Sequence, residues 1–117
     1  MIRLVVSDID GTLIHTTEGR IPDAVFEQIA RLRERGILFV PASGRQYRSL
    51  RRLFERVAGE LYYICENGAV VFAPGEPGPV LSKVVMEHGE AMALARKIVA
   101  TPGCELFMSR TNTSYLC

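Results

Sequence analysis

The sequence has no tryptophan, few lysines and almost no net charge, and these absences narrow the kinds of protein it can encode. The formal net charge of +1 gives no overall attraction to nucleic acid or to an anionic membrane, so we expect neither as a partner. No apolar run is long enough to span a bilayer. The first residues also lack the charged region, apolar stretch and cleavage site of a signal peptide.

Cysteine is scarce and shows no metal-binding or redox spacing. Cys65, Cys104 and Cys117 are odd in number and widely separated, and no Cys-x-x-Cys pair occurs. Reduced thiols are the simplest interpretation, so we expect a cytoplasmic protein. With 117 residues and 48% hydrophobic residues, the chain has the length of one ordinary domain and can bury a core.

The apolar residues alternate between strand-like and helix-like periods in the first two thirds of the chain. This pattern predicts strands at 2–7, 37–40, 61–65 and 69–73, helices at 22–35 and 46–58, and a polar loop at 16–20. Strand, helix and strand at these lengths imply right-handed crossovers and a parallel α/β sheet. The pair Asn67-Gly68 predicts a tight turn into the strand at 69–73.

A proline- and glycine-rich stretch at 74–79 is the clearest change of composition, and we interpret it as a linker or an exposed loop. Beyond it the pattern predicts a strand at 80–85, a helix at 89–100 and a strand at 104–109. We therefore predict two parts, an α/β domain at 1–79 and the beginning of an α+β domain at 80–117.

The hexapeptide Asp8-Ile9-Asp10-Gly11-Thr12-Leu13 directly follows the first predicted strand. Side chains at i and i+2 of a strand point the same way, so Asp8 and Asp10 should converge while Ile9 enters the core. Two close carboxylates are unfavourable unless a cation or a shared proton relieves them. Gly11 allows a tight turn and could bring its N–H to a ligand. A metal, a nucleophile and an anion site are thus all suggested here.

This hexapeptide resembles the first signature of the haloacid dehalogenase (HAD) superfamily of phosphotransferases. Ala42-Ser43-Gly44-Arg45 resembles the second signature, although Ser-Gly-Arg after a strand is also an ordinary helix N-cap. Glu66-Asn67-Gly68-Ala69 resembles a segment of the Cof-type subfamily, although Asn-Gly also serves simple hairpin turns. The resemblance implies a parallel, three-layer, Rossmann-like HAD core that is incomplete here and is followed by the start of an inserted α+β cap.

The resemblance also implies a magnesium-dependent phosphatase that acts on a small phosphorylated metabolite. Asp8 would be the nucleophile that forms an aspartyl-phosphate, and Asp10 the general acid and base, with a raised pKa. Mg²⁺ would be held by the Asp8 carboxylate and the Asp10 backbone carbonyl. Further expected contacts are Gly11, Thr12, Ser43 and Gly44 to the phosphate, and Arg45 and Asn67 to the substrate.

The sequence departs from the family pattern in its second half. The family's later lysine and acidic pair have no counterpart, because the only lysines are Lys83 and Lys97 and no aspartate follows Asp23. We expect an N-terminal part of a HAD core with a weak metal site and an exposed first strand that favours self-association. A non-catalytic phosphate-binding or assembly module stays open, and a phosphoacceptor signalling domain is a third reading. The arginines at 45–56 are consistent with a nucleic-acid groove binder, but we favour a solvated helix face.

Overall fold

The computed structural model describes residues 1–15 and 19–117 and divides the chain into two compact units, Met1–Lys83 and Val84–Cys117. Residues 16–18 of the predicted polar loop lie outside the described residues. The division falls after Lys83 and not after Pro79 as the sequence suggested, because the strand that follows Pro79 pairs within the sheet of the first unit.

A five-stranded sheet forms the centre of the first unit. Its strands, in spatial as well as chain order, are β1 (Leu4–Asp8), β2 (Leu38–Ala42), β3 (Tyr63–Cys65), β4 (Val70–Phe72) and β5 (Val80–Lys83). The first three strands are parallel, and β4 and β5 are antiparallel additions. The α/β prediction with a parallel sheet is confirmed, and β1 and β5 are the two edges.

Two helices connect the parallel strands, and the second is shorter than predicted. The helices are α1 (Asp23–Glu34) and α2 (Tyr47–Leu53), and a 3₁₀ segment, Glu55–Glu60, follows α2. The helix predicted at 46–58 ends at Leu53 because the backbone leaves α-helical geometry at Phe54, with a φ of −107° and a ψ of 26°. The bend accompanies complete burial of Phe54, whose ring packs near the rings of Phe26 and Phe39.

The two helices of the first unit lie on one face of the sheet. When parallel strands follow one another in chain order across the sheet, right-handed crossovers place the connecting helices on the same face. On this face, the Phe54 ring packs near Phe39 of β2 and Phe26 of α1. On the opposite face of β1 and β2, Leu4, Val6 and Leu38 are each about half exposed (49–51%). An apolar strip therefore stays open to solvent beside the β1 edge.

The proline- and glycine-rich stretch is a closed loop attached to α2. The N–H of Gly78 donates to the Tyr47 hydroxyl at 3.0 Å, and the Tyr47 ring stacks on Phe72 with 3.8 Å between centroids. The guanidinium of Arg51 donates to the carbonyl of Gly75 at 3.2 Å and forms an ion pair with Glu76. These bonds integrate residues 74–79 into the first unit.

The second unit contains α3 (His88–Val99) and a hairpin of β6 (Phe107–Arg110) and β7 (Thr113–Leu116). The side chain of Glu87 caps α3 by accepting a hydrogen bond from the N–H of Glu90 at 2.9 Å. Backbone hydrogen bonds from Gly89 and then Glu90 hold the pKa of Glu87 below its usual value. The strand predicted at 104–109 is shifted, and β7 was not predicted. Among residues 1–15 and 19–117, no helix has the length and apolar character needed to cross a bilayer.

Candidate active site

Asp8 and Ser43 meet at the carboxyl ends of adjacent parallel strands. The register pairs Asp8 of β1 with Ala42 of β2, and Ser43 follows directly. Ser43 is 7% exposed and is held by its backbone, because its N–H donates to the carbonyl of Ile64 at 3.0 Å. The exposed Asp8 and the buried Ser43 thus lie at adjacent strand ends, where parallel α/β sheets generally bind their ligands.

The turn after β1 explains how both aspartates reach solvent. Ile9 is fully buried, and its carbonyl accepts hydrogen bonds from the N–H groups of Thr12, Leu13 and Ile14 at 2.9–3.2 Å. Gly11 adopts a φ of +83°, which only glycine accepts without strain. The anchoring of Ile9 therefore fixes the direction of the side chains on either side of it.

The roles expected for Gly11 and Thr12 change with this geometry. The N–H of Gly11 donates to the carbonyl of Ile14 at 3.0 Å, so it is used within the turn and does not face a ligand as expected. The N–H of Thr12 is also used within the turn, on Ile9. The hydroxyl of Thr12 instead donates to Asp8 Oδ2 at 3.3 Å, which orients the carboxylate.

Ser43 keeps a proton available for an anion. The backbone N–H of Arg45 donates to Ser43 Oγ at 3.1 Å, so this oxygen is an acceptor there and its own O–H can donate elsewhere. The helix N-terminus contributes less than expected, because α2 begins only at Tyr47 and has seven residues. The hydroxyl of Ser43 is thus the clearest donor toward a phosphoryl group.

Arg45 binds Asp10 through two hydrogen bonds. Nε donates to Oδ2 at 2.9 Å and Nη2 donates to Oδ1 at 2.7 Å, a bidentate arrangement. Hydrogen bonding to the Arg45 guanidinium lowers the pKa of Asp10 below its usual value. The expected rise of this pKa is therefore wrong for the structure as it stands, because the neighbour that dominates is a cation and not the Asp8 carboxylate. The sequence analysis did not point to Ser49, whose hydroxyl accepts a hydrogen bond from Arg45 Nη1 at 3.4 Å. The available signal was its position four residues after Arg45.

Asn67 reaches the site through an unusual turn. Glu66, Asn67 and Gly68 all have positive φ values (52°, 55° and 95°), which is costly for a glutamate. The N–H of Asn67 donates to the carbonyl of Ser43, and the N–H of Glu66 to the carbonyl of Arg45, each at 3.1 Å. Strained backbone of this kind is concentrated at functional sites, and here it brings the Asn67 amide beside Ser43 and Gly44.

The oxygen donors fit magnesium only in part. The Asp8 carboxylate and the Asp10 backbone carbonyl are hard ligands of the type Mg²⁺ prefers. The carboxylate of Asp10 is bound to Arg45. In the described part of the chain, no cluster of three or more His, Cys, Asp or Glu side chains could hold a metal ion. Among residues 1–15 and 19–117, the groups at this point that could hold the ion are the Asp8 carboxylate and the Asp10 backbone carbonyl.

A family model for haloacid dehalogenase-like hydrolases matches residues 5–116, almost the whole chain. The chain belongs to this family. The Rossmann-like HAD core predicted from the signatures at Asp8 and Ser43 is thereby confirmed.

Individual relatives of this HAD chain are phosphatases. This chain is 29% identical over 120 residues to 5-amino-6-(5-phospho-D-ribitylamino)uracil phosphatase YbjI of Escherichia coli K12. The match covers 97% of this chain and 41% of the relative. The chain is also similar to solved structures, of which two examples follow. SMU.1108c of Streptococcus mutans UA159 matches with a TM-score of 0.83 and 26% identity. This match covers 99% of the present chain and 43% of the SMU.1108c chain. A HAD subclass IIB sugar phosphatase, BT4131, has a TM-score of 0.75 and 27% identity, and covers 98% of this chain and 44% of its own. The chain thus spans about two fifths of the length of these relatives.

Proposed function

We propose that this chain is the phosphoryl-binding part of a magnesium-dependent phosphatase that hydrolyses a small phosphorylated metabolite through an aspartyl-phosphate. The observation that carries the proposal is the pairing of Asp8 with Ala42, which brings Asp8 and Ser43 to the ends of two adjacent parallel strands. The relatives support the substrate class, because their names describe phosphatases. The free cysteines are consistent with a cytoplasmic location.

In the proposed reaction, one oxygen of the Asp8 carboxylate attacks phosphorus while the bond from phosphorus to the leaving oxygen breaks. Asp10, which is ionised while Arg45 binds it, has to take up a proton from solvent as the substrate binds, and it gives that proton to the leaving oxygen. Asp10 then accepts a proton from the water that attacks the aspartyl-phosphate, and phosphate release restores Asp8. Throughout the reaction, the Ser43 hydroxyl donates a hydrogen bond to a phosphoryl oxygen. Asn67 and Arg45 contact the substrate.

The Asp8 carboxylate and the Asp10 carbonyl would hold the magnesium ion. When bound, the ion offsets repulsion between Asp8 and the phosphoryl group and neutralises charge in the transition state. Because the described residues provide few ligands, we expect weak binding of Mg²⁺ by this chain alone.

Hydrolysis of p-nitrophenyl phosphate with and without Mg²⁺ tests this function. We expect turnover by the chain, loss of turnover in Asp8→Asn, and unchanged turnover in Arg52→Gln, which removes an exposed charge from α2. Turnover that persists in Asp8→Asn would show that the Asp8 carboxylate is not the nucleophile and would argue against the aspartyl-phosphate route.

A phosphate-binding module without catalysis is the alternative. It is favoured by the lack of a three-residue acidic cluster in the part of the chain that the structure describes. Calorimetry with inorganic phosphate and Mg²⁺ separates the two functions, because binding without turnover supports the module. Absence of both binding and turnover contradicts both functions.

A further inference from the structure

One residue, Arg45, connects the three segments that form the candidate site. Its guanidinium binds Asp10 after β1, its N–H donates to the side chain of Ser43 after β2, and its carbonyl accepts from the N–H of Glu66 after β3. The backbone of Arg45 is therefore fixed on two sides, while its side chain reaches across the opening between the strand ends.

The guanidinium is committed to a single carboxylate. Nε and Nη2 bind the two oxygens of Asp10 at 2.9 and 2.7 Å, so one fork of the guanidinium is filled. A phosphoryl group presents the same pair of oxygens to such a fork and competes for it. A phosphate bound between Asp8 and Ser43 would lie next to this pair in the fold, because Asp10 and Arg45 each follow one of those residues by two positions at adjacent strand ends.

The ion pair of Arg45 and Asp10 lies where separating the two groups costs little free energy. The side chains of Arg45 and Asp10 are 35% and 53% exposed, so water can replace either partner. If a deeply buried ion pair separated, each charge would be left without a partner and away from water. The Arg45–Asp10 pair avoids this cost because water can reach both groups.

We propose that Arg45 is a positioning residue that holds Asp10 in the empty site and transfers its hydrogen bonds to phosphoryl oxygens when a phosphate enters. This transfer releases the Asp10 carboxylate to turn toward the leaving group. The inference rests on the proposed function, because it requires that the Asp8–Ser43 site binds phosphate.

A double-mutant cycle with inorganic phosphate tests the exchange. The four proteins are the unmodified chain, Asp10→Asn, Arg45→Gln and the double variant, titrated by calorimetry or ³¹P NMR at one pH, first with EDTA and then with Mg²⁺. Asp10→Asn frees the guanidinium, so we expect phosphate to bind about two- to fivefold more tightly, the range for an exposed ion pair. In the Arg45→Gln background this gain should disappear.

Simple charge repulsion between Asp10 and phosphate predicts a different result in the double-mutant cycle. If Asp10 only repels phosphate through its charge, removal of that charge improves binding equally with or without Arg45, and this additive result overturns the exchange. Binding in none of the four proteins removes the proposed function and the inference with it. An additive cycle with measurable binding removes the inference alone.

The Arg45 Nε–H resonance provides a measurement that does not depend on affinity differences. It is identified as the signal missing from Arg45→Gln, and Arg52→Gln, at an exposed arginine of the following helix α2, is the control. We expect phosphate to shift this resonance in the unmodified chain, as Nε leaves Asp10. An unchanged Arg45 signal at saturating phosphate contradicts the exchange.

Discussion

The amide of Asn67 lies so close to Gly44 that a Cβ atom at position 44 would be 3.1 Å from Asn67 Oδ1. Gly44 therefore accommodates the approach of Asn67 to Ser43, and any larger residue has to displace the amide or the turn that carries it. The close approach of the Asn67 amide therefore gives a steric reason for glycine at position 44.

We predict that Gly44→Ala weakens phosphate binding by moving Asn67 out of reach. Loss of one hydrogen bond corresponds to about two- to tenfold in affinity. Titration with inorganic phosphate measures the change. Gly59→Ala is the control, because its Cβ would be 3.0 Å from the exposed carboxylate of Glu76, away from the site. Equal affinities of Gly44→Ala and the unmodified chain would show that Asn67 does not contact the anion.

We predict that Tyr47→Phe destabilises the first unit by about 1–2 kcal/mol. The substitution keeps the ring stacked on Phe72 but leaves the buried N–H of Gly78 without its acceptor. Urea unfolding followed by circular dichroism measures the free energy. Tyr115→Phe, at a side chain that is 47% exposed, should change it little. A Tyr47→Phe protein as stable as the original would mean that the loop at 74–79 is not fastened by this bond.

We predict that two of the three thiols react with an aromatic disulfide reagent at pH 8. Cys104 and Cys117 are exposed, whereas burial raises the pKa of the Cys65 thiol to about 12. Because the thiolate is the reactive form, Cys65 should react only after denaturation. Mass spectrometry before and after urea counts the modified residues. Cys65→Ala should match the native count and lack the additional site in urea; rapid labelling of native Cys65 would contradict its burial.

We predict that the chain self-associates through β1, and that Val6→Lys reduces this association. The edge strand offers unpaired backbone groups beside the half-exposed Leu4, Val6 and Leu38, and an edge lysine is a common protection against pairing. Sedimentation velocity at several concentrations measures the oligomers. Val99→Lys, at another exposed apolar position, is the control. Association that is equally strong in Val6→Lys would place the contact elsewhere.

The sequence predicted the elements that carry a strong period and a clear end signal. The helix predicted at 22–35 is observed at Asp23–Glu34, and the strand predicted at 37–40 is part of β2. The end of α2 was missed, because the apolar stripe continues to Val57 although the backbone already leaves α-helical geometry at Phe54. The strand β7 was missed because Thr113–Leu116 has no apolar run that stands out from a loop.

The site was predictable where it depends on strand register and not where it depends on side-chain conformation. Adjacent parallel strands dictate that Asp8 and Ser43 lie together, so the prediction needed only two strand ends. The pair of Arg45 and Asp10 joins residues 35 positions apart through particular rotamers, which no spacing rule supplies. The positive φ of Glu66 was unexpected because local preference disfavours it, and only tertiary contacts explain it.

The connection of the two units at Lys83–Val84 has a practical meaning for protein engineering. A chimera that exchanges the second unit after Lys83 keeps β5 and the loop fastened to Tyr47, so the host sheet stays whole. A chimera joined after Pro79 discards β5 and uncovers the hydrogen-bonding groups of β4. Recombination libraries cut at the first junction should therefore yield more folded products than libraries cut only four codons earlier.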